Sequence, residues 1–72
     1  MRTVADMRPG ERGTVTGFSD QELSIKLLEM GVLPGTEVIM KIIAPFGDPV
    51  CIEVSGYNLS MRKNEASTIS LL

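Results

Sequence analysis

Apolar and polar positions along the chain change their period twice, and each change marks an element. Between Gln21 and Met30 the apolar residues Leu23, Leu27 and Met30 recur at helical spacing, with Leu28 widening the stripe. Ser19 with Glu22 three residues later has the form of a capping box. The serine oxygen takes an orphan N–H and the glutamate reaches back to the cap. Gly31 stands where the last turn should end, and glycine enters the left-handed conformation without a Cβ clash. Val32 and Leu33 are placed to fold back on that turn before Pro34-Gly35 reverses the chain. The spacing predicts a helix from about Asp20 to Met30 and then a forced exit into a strand.

Elsewhere the period is two. Glu11 to Phe18 reads as a first strand centred on Thr14, Val15 and Thr16. Gly13 and Gly17 share the face of Val15, which points to a bulge or a close backbone neighbour. Glu37 to Ala44 is the longest and most apolar strand. It carries Val38, Met40 and Ile42 on one face, and Ile39 and Ile43 among Glu37 and Lys41 on the other. That second face calls for partial cover, from the helix as the nearest element or from a partner protein. Pro45-Phe46-Gly47-Asp48-Pro49 reads as a hairpin loop, and Val50 to Ser55 as the third strand, with Val50, Ile52 and Val54 inward. Gly56-Tyr57 turns the chain into Asn58 to Arg62, whose inward pair is Leu59 and Met61.

Thr3 to Met7 reads as one helical turn capped by Thr3, Arg8-Pro9-Gly10 as a turn, and Lys63 to Ala66 as a one-turn connector. Thr68 to Leu72 closes the chain and offers Ile69 and Leu71 to the core. Met7-Arg8, Glu11 and Thr14-Val15 share their spacing with Met61-Arg62, Glu65 and Thr68-Ile69, two turns each leading into a strand. Five short strands with one helix after the first predict an all-β fold, a small closed antiparallel barrel. Closure removes exposed strand edges.

Composition narrows the function. The 72 residues make one domain, and the 43% apolar content rules against disorder. Three aromatics, Phe18, Phe46 and Tyr57, are poor material for stacking nucleobases, and a net charge of −2 argues against nucleic acid and acidic membranes. Cys51 is alone, so no internal disulfide forms. No stretch has signal-peptide or membrane-spanning character, and the expected location is cytoplasmic.

Leu27-Leu28-Glu29-Met30-Gly31, then Pro34-Gly35-Thr36, then Ala44-Pro45-Phe46-Gly47-Asp48-Pro49, together with Gly56-Tyr57, Leu59-Ser60-Met61-Arg62 and Glu65-Ala66, resemble the ferrous iron transport protein A (FeoA-type) family from about Asp6 to Leu71. The resemblance implies an SH3-like barrel that accompanies a membrane permease for ferrous iron with a cytoplasmic GTP-hydrolysing domain. The small protein is expected to bind or regulate that permease, recruited to the inner face of the membrane through it. A similar barrel ends the iron-dependent repressors. The alternative is therefore a stand-alone module that binds a peptide or protein segment. Ser24-Ile25-Lys26 departs from the family's more arginine-rich helix face.

Transition-metal binding is a family-level term, yet this chain offers little for it. It has no histidine and one cysteine, and Asp48, Glu53 and Glu29 show no ligand spacing. Met30, Met40 and Met61 read as core filler. No nucleophile–base pair or phosphate-binding loop is present, so neither catalysis nor a cofactor is expected. Arg8, Arg12 and Arg62 are conceivable arginine fingers in trans, with a solvated arginine beside a turn as the favoured reading. The better lead is apolar surface. Ile25, Leu33, Ile39, Ile43, Phe46 and Tyr57 strain the capacity of so small a core. Leu33, Phe46 and Tyr57 are the expected partner-binding residues, Phe46 first because a proline-framed loop tip projects it. The expected partner is the permease, with no nucleic acid and no direct membrane insertion. A homo-oligomer is left open.

Overall fold

The computed structural model describes residues 2–72. Five antiparallel strands form a sheet in the order β4-β3-β2-β1-β5. They are β1 (Arg12–Phe18), β2 (Glu37–Ile43), β3 (Val50–Val54), β4 (Tyr57–Met61) and β5 (Ile69–Leu71), with α1 (Gln21–Glu29) between β1 and β2 and α2 (Lys63–Ala66) between β4 and β5. A 3-10 turn at Val4–Asp6 opens the chain, its Asp6 carboxylate accepting from the Thr3 N–H at 2.9 Å.

β1 bends the sheet. Its first half, Arg12 to Thr14, pairs with β2, and its second half, Val15 to Phe18, pairs with β5. The two glycines serve this bend differently. A register shift lies between Val15 and Gly17. A Cβ on Gly13 would stand 2.9 Å from the Leu71 Cδ1 and 2.9 Å from the Arg2 guanidinium. The expected bulge is thus found next to Gly17, whereas the close neighbours of Gly13 are side chains and not backbone.

The inner face collects Val15, Val38, Met40, Val50, Ile52, Val54, Ile69 and Leu71, with Leu27 and Val32 from the helix region and Val4 and Met7 from the first turn. At about 25 cal/mol per Å2 of apolar surface, this shared cluster is the main source of stability in a chain so short. The ladder does not close on itself, because β4 and β5 are both edges. α2 links them, and α1 is fastened near both ends of β4: Lys26 pairs with Glu65 at 2.7 Å, and the Tyr57 hydroxyl donates to the Met30 carbonyl.

Several local expectations shift. The helix cap is Asp20, not Ser19; its carboxylate accepts from the Leu23 N–H at 3.0 Å. Ser19 is taken up by its backbone instead, donating to the Thr68 carbonyl. Leu28 is 39% exposed and does not widen the buried stripe. On β2 the register slips between Met40 and Ile42, which turns Ile42 outward at 64% exposure and Ile43 towards the core. One extra residue in the strand reverses the alternation beyond it. The helix covers the Val38–Met40 side and not the Ile39 side, where Ile39 lies half-buried between its strand neighbours Arg12 and Glu53. The β3–β4 turn is Ser55-Gly56, with positive φ at both, and Tyr57 already belongs to the strand.

The repeated spacing has a physical meaning. Glu11 accepts from the Arg8 N–H at 2.6 Å and Glu65 from the Arg62 N–H at 2.9 Å. In each turn the arginine carbonyl accepts from the same glutamate's N–H at 3.0 Å. The same carboxylate-locked turn thus feeds β1 and β5.

Candidate functional site

The end of α1 is built from four local signals and one distant residue. Gly31 has φ +95°. Its N–H donates to the Leu28 carbonyl at 3.0 Å, and the Val32 N–H donates to the Leu27 carbonyl at 2.9 Å. These are the two bonds of a Schellman cap, and its hydrophobic contact is supplied by Val32 and Leu27, both fully buried. The Met30 carbonyl is taken by Tyr57 from the start of β4. A Cβ on Gly31 would collide with the Tyr57 hydroxyl, so the glycine is needed for space as well as for its φ.

Apolar side chains stay outside along α1 and beyond its cap. Ile25 is 63% exposed, Leu33 49% and Tyr57 43%, with Leu28 beside them. Ile25 and Leu28 are three residues apart on one face of α1. Leu33 follows the cap, its carbonyl held by the Thr36 N–H at 3.0 Å. Of the residues singled out from sequence, Leu33 and Tyr57 therefore come to the same end of the helix. The sequence counted Leu28 inward, and only its position relative to the cap puts it here.

Phe46 lies elsewhere. It tips the β2–β3 connection, at the opposite end of β3 from Tyr57, which pairs with Val54. Its side chain is 99% exposed. The loop beneath it is tied down: the Gly47 N–H donates to the Ala44 carbonyl at 2.7 Å, and Asp48 accepts from the Lys63 N–H at 2.9 Å and pairs with Arg62 at 3.4 Å. A fixed loop that presents an uncovered ring loses little freedom when that ring is bound.

Charges around these features are structural. Glu65 is nearly buried, and its carboxyl is held below the usual value by Lys26 first and the Arg62 N–H second, against the opposing effect of burial. Arg12 pairs with Glu37 at 3.0 Å and Lys41 with Glu53 at 3.5 Å on the outer face of the sheet, exposed pairs that contribute little. Arg12 and Arg62 thus already have carboxylate partners. Among the described residues no three His, Cys, Asp or Glu side chains gather as metal ligands, and no helix is long and apolar enough to cross a membrane. What the arrangement offers is surface.

Comparison with known proteins bears on the family and the fold. The model of the FeoA domain family matches residues 2–71. A FeoA-like protein from Clostridium acetobutylicum superposes with a TM-score of 0.90 at 31% identity, over 97% of this chain and 83% of that one. The zinc complex of FeoA from Stenotrophomonas maltophilia, described as a prokaryotic SH3 domain protein, gives 0.86 at 21% identity, over 100% of this chain and 91% of that one. A manganese-dependent transcriptional repressor gives 0.89 at 17% identity, over 99% of this chain but 36% of the repressor. The last two likenesses carry the fold alone, which is SH3-like.

Proposed function

The chain belongs to the FeoA domain family, non-catalytic accessory proteins of ferrous iron transport, and on that premise we propose that it regulates a membrane ferrous iron permease by direct contact with it. The observation that supports this most is the exposure of Ile25 and Leu28 along α1 and of Leu33 and Tyr57 at its rigidly capped end. Exposed apolar residues grouped on a fixed scaffold favour a protein partner, and aromatic and aliphatic anchors of this kind supply most of the energy of such contacts. Phe46 serves as a second, separate anchor at the other end of β3. The partner's cytoplasmic GTP-hydrolysing domain is the face it meets, so the protein acts from the cytoplasmic side.

Iron enters this account as the permease's cargo. The chain has no histidine, and among the described residues no three carboxylates converge. A resident site for ferrous iron does not fit these donors.

Co-purification of the chain with a full-length permease, loaded with GTP or GDP, tests the reading. The chain is expected to be retained in at least one nucleotide state. Failure in both, with an active permease, refutes direct contact.

A further inference from the structure

The two edges of the sheet are treated differently. The outer side of β5 is covered by the N-terminal segment: Thr3 bridges to Ser70, and the Leu71 N–H donates to the Arg2 carbonyl at 2.9 Å. The outer side of β4 has no such cover among the described residues. Native edge strands are ordinarily guarded by charge, proline, a bulge or a covering segment. β4 reads Tyr57-Asn58-Leu59-Ser60-Met61, with no charge and no proline, and it pairs with β3 in unbroken register.

The register shows which backbone groups face out. Ser55-Gly56 is a two-residue turn, so Val54 and Tyr57 exchange both hydrogen bonds. Alternation then directs Leu59 and Met61 to β3 as well. The N–H and C=O groups of Asn58 and Ser60 point away from the sheet, and both residues are exposed. α1 reaches β4 through the Tyr57 side chain, which shares its face with the half-buried Leu59 and leaves those two residues uncovered.

We propose that this edge pairs with the same edge of a second copy of the chain, antiparallel about a two-fold axis at Leu59. The strand is self-complementary in that register. Asn58 faces Ser60 of the other copy and Ser60 faces its Asn58, which joins the outward groups in four main-chain bonds and closes both open edges at once. Leu59 meets its own counterpart, and Tyr57 meets Met61. No like charges are brought together because β4 carries none, whereas an unrelated extended segment would gain the same bonds without this symmetry. The inference is independent of the permease reading.

Amide hydrogen exchange on the unmodified protein, followed by NMR across a concentration series, tests it. The Asn58 and Ser60 N–H groups should become protected as concentration rises, while Tyr57, Leu59 and Met61 stay protected throughout, and the apparent mass should double. Ser60→Pro removes an outward N–H that β3 does not use, so this variant should stay folded and monomeric. A Leu59→Cys variant in a Cys51→Ser background should crosslink to itself, since facing residues at the axis bring their Cα atoms close. Rapid exchange of Asn58 and Ser60 at every concentration overturns the proposal. So does a dimer that persists in Ser60→Pro, or protection that appears only when the permease is added.

Discussion

Gly31→Ala tests the junction of helix, turn and sheet, because two costs meet at one atom. The first is conformational. At φ +95° an L-residue is strained, by about 1–2 kcal/mol. The second is spatial: the new methyl occupies the place of the Tyr57 hydroxyl and displaces it from the Met30 carbonyl. Loss of that bond costs about 1 kcal/mol, so the total is about 2–3 kcal/mol. With a urea slope of about 1 kcal/mol per molar for so small a chain, the midpoint should fall by roughly 2–3 M. Tyr57→Phe separates the two parts. In that background the hydroxyl is already gone, and Gly31→Ala should cost about 1 kcal/mol less than in the parent. Urea unfolding of the four proteins of this cycle decides the matter. Strict additivity would refute the spatial part, and an unchanged midpoint for Gly31→Ala would refute the cap itself.

Other substitutions have equally definite outcomes. Asp20→Ala should cost about 1 kcal/mol in thermal or urea unfolding, while Ser19→Ala should stay within about 0.5 kcal/mol, because only Asp20 caps the helix. Gly13→Ala should cost about 1–3 kcal/mol, as its methyl must push the buried Leu71 aside. Glu65→Gln should cost about 2 kcal/mol near neutral pH. The wild-type carboxyl titrates below its usual 4.5, so its contribution is present above that value and fades as pH falls through the depressed one. The two proteins should therefore converge in stability in acid, as circular dichroism at a series of pH values would show. Anaerobic calorimetry should find no stoichiometric, tight ferrous iron site on the isolated chain.

What the sequence revealed was what local chemistry decides. Gly31 as terminator needs only a helical stripe and a residue free to take positive φ, and both are written within a dozen positions. Val50, Ile52 and Val54 keep a clean period of two, and all three lie in the core as that period requires. The misreadings occur where one residue shifts a frame. Ser19 and Asp20 are both competent caps, and only the bond to Leu23 distinguishes them. The slip between Met40 and Ile42 sends Ile42 outside, yet no local signal marks it in so uniformly apolar a run. Ser55 adopts φ +49°, which serine seldom does, so the turn lies one residue earlier than glycine alone indicates. The placement of the residues singled out from sequence depends on topology. Leu33 and Tyr57 share the helix end only because β4 starts beside Met30, a contact across 27 positions, and the same topology sends Phe46 to the far end of β3.

The central claim is that the surface at the end of α1 holds the permease. Calorimetric titration of the purified chain into the detergent-solubilised permease measures this most directly, with wild type, Leu33→Asp and Phe46→Ala compared after circular dichroism has shown each to be folded. Leu33 and Phe46 are exposed, so both variants should retain their fold. The account predicts saturable binding by wild type and at least about a thirtyfold loss with Leu33→Asp, the equivalent of about 2 kcal/mol at an interface anchor. Phe46→Ala should weaken binding as well, through the second anchor. Undiminished affinity in a folded Leu33→Asp variant would contradict the account.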